Sequence, residues 1–221
     1  MREDFQAQME AIRGALVDMT GSAGTAIVRA TQALLNQDLA AADEVASLTI
    51  QLDAARRAVE DRTYELLARQ QPVAGDLRNL VSAIRIGADI DRMGSLANHI
   101  AKVAKLRHPA PAVPSDIAPV FGEMGAVARR MAEGTGIALS NPDATEAERL
   151  QLDDDAMDAL HRKLFRLLLD DEWEHGVESA IDVALLGRYY ERFADHLVAI
   201  AETVVYLVTG ELPVVDRTKA S

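Results

Sequence analysis

Residues 86–103 and 186–203 align without a gap, IGADIDRMGSLANHIAKV on LGRYYERFADHLVAIAET. Gly87 falls on Gly187, Asp91 on Glu191, Arg92 on Arg192, and Ile100-Ala101 on Ile200-Ala201. This internal repeat limits the fold more than any other feature, because two copies of one unit of about a hundred residues should pack as pseudo-symmetric halves. The copies differ where chemistry is at stake: Ser95 stands opposite Asp195, and His99 opposite Ala199.

The repeated stretch is helical in period. Over 184–210, Leu186, Tyr189, Phe193, Ile200, Val204 and Leu207 share one helix face, while Glu191, Asp195 and Glu202 line the opposite one. Aromatic residues make up only 4% of the chain, and helix formers dominate, which predicts an all-α protein. The apolar stripe Phe5, Met9, Ile12, Leu16, Met19, Ala23, Ile27, Ala30, Leu34 marks one long helix to about Asn36. Gly21 and Gly24 mark a bend or a close helix crossing within it. Asp38 is set to cap a second helix that ends at Gln70-Gln71-Pro72, because a residue before proline avoids the α region. A third runs from about Val73 to Leu106. The proline-rich RHPAPAVPS then separates the halves, and Ser115 or Asp116 can cap the helix that follows.

The second half repeats the plan over about 116–139, 145–170 and the stretch ending at Gly210, with Thr145 and Glu148 forming a capping box. The prediction is six long helices in two pseudo-symmetric three-helix bundles, 1–108 and 116–210. They are joined by a linker at 109–115 and followed by a mobile tail at 211–221.

Composition narrows the functions available. A net charge of −12 disfavours nucleic acid and anionic membrane surfaces, since phosphate would be repelled over most approaches. No cysteine is present, so any metal must be held by oxygen or imidazole. The amino terminus is charged, and Glu202 interrupts the longest apolar run. Neither a signal peptide nor direct membrane insertion is expected, which predicts a soluble protein and fits the cytosol.

Glu191 and Asp195 are four residues apart, so their carboxylates project from adjacent turns within reach of one cation. Asp154 and Asp158 repeat that spacing on the preceding helix, and antiparallel packing would bring the four together across a groove. Oxygen ligands suit Mg, Mn, Ca or Fe ions, and carboxylates facing away from the core point to a surface site. The equivalent first-half set is Asp53, Asp91 and His99, a thinner one because Thr49 and Ser95 replace carboxylates. His196 reads as a packed histidine and Trp173 as a plug at the bundle end. Three alternatives stay open: solvated acidic faces, a carboxylate-bridged metal-dependent bundle enzyme, and a metal-free structural scaffold. Scarce histidine at ligand spacing argues against the enzyme.

The stretches QPVAGDLRNLVSAIRIGADIDRMGSLANHIA (71–101) and LLGRYYERFADHLVAIAETVVYLVTGE (185–211) resemble the two signature segments of the PhoU family, most of all its actinobacterial branch. The resemblance covers nearly the whole chain. It implies a cytoplasmic protein, peripheral to membrane complexes, that is not an enzyme and acts as a negative regulator of the phosphate-starvation response. Its implied partners are the sensor histidine kinase and the ATPase subunit of the phosphate ABC transporter, and a homodimer is compatible with the family. The resemblance also implies metal binding through E(D)xxxD motifs. Glu191 and Asp195 match that motif with Asp154 and Asp158 as companions, and Asp91 and Asp53 match in the first half. Ser95, Thr49, Ala199 and His99 depart from it.

Overall fold

Asp38 caps as its position suggests: its carboxylate accepts from the Ala41 N–H at 3.0 Å and starts the second of six helices. The computed structural model describes residues 2–141 and 144–210, with side chains from 3–141 and 149–210. Among them the helices are α1 (Arg2–Asn36), α2 (Leu39–Gln70), α3 (Ala74–Arg107), α4 (Ala118–Ser140), α5 (Ala144–Leu168) and α6 (Gly176–Thr209). The fold is the pair of pseudo-symmetric three-helix bundles that the repeat predicts, α1–α3 and α4–α6. Tail 211–221 and the side chains of Thr145 and Glu148 lie outside the described residues.

The two bundles meet along two antiparallel helix pairs. On α3 and α6, Arg78 lies over the Tyr206 ring, Asp89 meets His196, His99 stacks on Tyr189, and Arg107 meets Asp182. Numbers rise on one helix as they fall on the other. The same holds for α1 and α4, where Gly24 faces Ala132, Thr31 faces Gly125, and Leu35 faces Gly122. Small residues let these backbones approach: a Cβ at Gly24 would lie 3.1 Å from that of Ala132. The close crossing read from Gly24 is real, whereas nothing approaches Gly21 within 4 Å.

Helices α1, α3, α4 and α6 therefore form the middle of the molecule. Helix α2 packs only on α1 and α3, and α5 only on α4 and α6. One continuous core runs through both bundles, from Ile27 and Ile90 to Phe121, Tyr190 and Phe193. The linker joins it as well, with Ala112 and Val113 buried.

Two local expectations are corrected. The buried tyrosine of α6 is Tyr190, whose hydroxyl donates to Thr31 Oγ1 of α1 at 2.7 Å, while Tyr189 turns to the α3 side and stacks on His99. Asp116 does not cap α4. That helix starts one turn of backbone hydrogen bonds beyond Pro114, and Asp116 instead pairs with His175 at 3.1 Å, which holds its carboxyl below the usual aspartate range. Trp173 packs against the core edge and donates its ring N–H to Gly176 O at 3.0 Å, closing the turn into α6.

Candidate metal centre in the α5/α6 groove

Gly187 brings α5 and α6 close together. The space its Cβ would take is bounded by Leu164 Cδ1 at 2.9 Å and His161 Cδ2 at 3.3 Å, so a larger residue fits only if these side chains of α5 shift. The helix period then carries Glu191 from Gly187 along the same groove. Its side chain is only 14% exposed, so the carboxylate is sunk between helices and not on the open face that the periodicity suggested.

One carboxylate oxygen of Glu191 takes a hydrogen bond from Arg188, and the other, Oε2, is buried with no partner among the described residues. Burial first, then the nearby negative charges of Asp195 and Asp158, raise the Glu191 carboxyl above its ordinary value. Burial likewise raises Asp195, with the guanidiniums of Arg188 and Arg192 opposing. Asp158 reaches Arg162 at 3.5 Å, a guanidinium that is 66% exposed and easily exchanged for water. Asp154 sits one turn earlier on α5, half-buried and in a polar contact of its own.

His161 is the residue that sequence reasoning missed. Its Nε2 is buried without a partner among the described residues, its ring packs edge-on against Phe165 at 5.0 Å, and burial pushes its pKa down, followed by the charge of Arg188. It stands three residues after Asp158 on the same face of α5. That spacing was the available signal. The groove thus holds an unpartnered carboxylate oxygen and an unpartnered imidazole nitrogen, electron-pair donors to a cation. Among the described residues no three acidic or histidine side chains converge on one point as they stand.

The first-half residues are placed differently. Asp53 and Asp91 are drawn together, but through the Arg56 guanidinium, at 2.9 and 3.7 Å. His99 is not with them. It lies eight residues beyond Asp91, about 80° around the helix, and stacks on Tyr189 of α6 with ring centroids 5.2 Å apart. Thr49 shares its one hydroxyl proton between Val45 O of its own helix at 2.9 Å and the Gly94 carbonyl of α3 at 3.3 Å, the second of which ties α2 to α3. His196 is half-buried and bonded to Asp89, the packed histidine expected.

A family model for the PhoU domain matches the chain twice, over residues 16–104 and 121–204. The phosphate-specific transport system accessory protein PhoU homolog 2 of Mycobacterium tuberculosis is 46% identical over 213 residues, 96% of this chain and 100% of that protein. PhoU homolog 1 of Mycobacterium leprae is 45% identical over 221 residues, 100% of each chain. Among solved structures, PhoU from Pseudomonas aeruginosa superimposes with a TM-score of 0.81 at 26% identity, covering 94% of this chain and all of that one.

Proposed function

The chain belongs to the PhoU family, and from that membership we propose that it is an accessory protein of phosphate uptake that represses the phosphate-starvation response when phosphate is plentiful. It does so as an adaptor, by binding and without catalysis. One surface docks on the ATPase subunit of the phosphate ABC transporter and another on the sensor histidine kinase, at the cytoplasmic side of the membrane. The observation that carries this reading is the end-to-end match to proteins named as accessories of phosphate-specific transport. Among the described residues no helix is long and apolar enough to cross a membrane, which suits a protein that reaches the transporter by docking.

The adaptor's second half takes a divalent cation or iron at Asp154, Asp158, Glu191 and Asp195. Fit is supported by the donor chemistry and by Glu191 Oε2, a buried oxygen left without a partner. A bound cation would supply positive charge where buried carboxylates repel one another, and so set the charge of that flank.

Deleting the gene and scoring phosphate-uptake genes in phosphate-rich medium tests the regulatory reading. Uptake genes that stay on support it. Uptake genes that stay repressed, also after any second copy is deleted, refute it. The metal reading is checked separately: Glu191→Ala with Asp195→Ala lowers bound metal in elemental analysis, and unchanged metal content sinks it.

A further inference from the structure

We propose that the first half carries its own cation: the Arg56 guanidinium fills the position that corresponds to the metal groove of the second half, so a metal ion binds this protein in one half only. The inference rests on the metal reading above for the second half, and on geometry alone for the first.

The correspondence follows from the glycines. At Gly87 the space of a Cβ is bounded by Arg56 Cγ at 3.8 Å and Val59 Cγ1 at 4.0 Å; at Gly187 it is bounded by His161 and Leu164. Position 56 therefore maps on 161 and 59 on 164, a shift of 105 residues, while α3 maps on α6 with a shift of 100. The same shift places Asp53 on Asp158 and Thr49 on Asp154, and Asp91 already aligns with Glu191. Glu60 falls on Phe165.

What occupies the two equivalent places differs in kind. Arg56 reaches Asp53 at 2.9 Å, Glu60 at 2.6 Å and Asp91 at 3.7 Å, and Arg57 adds a second contact to Asp53 at 2.9 Å. Arg56 is only 22% exposed, against 66% for Arg162 and 48% for Arg188 in the other half. Arginine does not shed its proton, so a metal could enter only by expelling a charged group from three carboxylates at once. In the second half the counterpart of Arg56 is His161, whose ring Nε2 is buried with no partner among the described residues. The missing carboxylates at Thr49 and Ser95 belong to the same substitution: with a cation built in, fewer anions are needed.

Manganese binding to the full chain, counted by electron paramagnetic resonance of free Mn²⁺ and by elemental analysis, tests this. Asp53→Asn with Asp91→Asn should leave the bound manganese of the wild type unchanged. Arg56→Gln should gain about one further equivalent, lost again when Asp53→Asn and Asp91→Asn are added, and Arg56→Lys should gain none. Loss of manganese in Asp53→Asn/Asp91→Asn overturns the inference, and so does an Arg56→Gln protein with native circular dichroism and no gain. Should Arg56→Gln not fold, Arg56→Met replaces it with the same expectation. A wild type that binds no manganese while Arg56→Gln binds one equivalent refutes the second-half metal reading and with it the one-half claim, and upholds only the assignment of Arg56 as the cation built into the first half. Loss of wild-type manganese in Asp158→Asn/Glu191→Gln/Asp195→Asn supports both.

Discussion

Replacing Gly125 by alanine tests whether the two bundles are held at one fixed distance. A methyl group there would lie 2.6 Å from Thr31 Oγ1, 2.7 Å from its Cγ2 and 3.1 Å from its Cβ. Thr31 cannot easily turn away. It is β-branched, its hydroxyl donates to Ile27 O at 2.8 Å, and the fully buried Tyr190 hydroxyl donates to it at 2.7 Å. Overpacking costs about 1–3 kcal/mol. Losing the partner of a buried hydroxyl adds about 1–3 kcal/mol. Alanine returns about 1 kcal/mol over glycine inside a helix. The net is a loss of about 3 kcal/mol, and a chain of this size loses about 2–4 °C of melting temperature per kcal/mol. Scanning calorimetry should therefore show Tm lowered by about 6–12 °C. Gly21→Ala, on the same helix with nothing within 4 Å, should instead raise Tm by about 2–4 °C. Adding Thr31→Ala and Tyr190→Phe to Gly125→Ala should cost far less than the three separate losses summed. A Gly125→Ala protein that melts with the wild type would refute the reasoning, as would a triple variant with no rescue.

Three other outcomes follow from the same contacts. Tyr190→Phe alone should lower Tm by about 2–4 °C, from about 1 kcal/mol for one hydrogen bond in a thermal melt. Phe121→Ala removes a fully buried ring set against Tyr190 at 5.8 Å, and a urea titration should register about 3–5 kcal/mol of lost stability. Glu191 has a folded-state pKa above its ordinary 4.5, so the folded protein holds a proton that the unfolded chain releases. Metal-free protein should accordingly lose this contribution as pH rises from about 4.5 through the folded value; Glu191→Gln should flatten that fall and raise Tm at pH 7 by about 2–4 °C. A melting profile of Glu191→Gln that parallels the wild type across that range would contradict the assignment.

Helix limits were legible because local chemistry writes them. Asp38 offers a capping oxygen, Pro72 excludes the preceding residue from the helix, and Gly210 takes a left-handed φ of 77° that closes α6 onto Tyr206 O. Which tyrosine enters the core was not legible. Tyr189 and Tyr190 differ by about 100° around the helix, and the choice depends on Thr31, a residue 159 positions away. The roles of Arg56 and His161 were hidden for a related reason. The carboxylate pattern already pairs Asp53 with Asp158 and Thr49 with Asp154, a shift of 105 on α2 and α5, but a search for acidic residues passes over an arginine and a histidine three residues further on. The packing of α2 against Gly87 and of α5 against Gly187 shows that these two side chains take the equivalent place.

Four helices lie between α2 and α5 in the arrangement of this chain, and those two never touch. At about 8–10 Å between packed helix axes, α2 and α5 form opposite flanks of the molecule, some 20 Å or more apart. Two molecules gripping these flanks would not compete for space. Both could be held at once, and the rigid shared core would fix the distance and angle between them. Such a body works as a spacer as much as a switch: shortening one of its middle helices would change where the second molecule is presented without altering how tightly the first is bound.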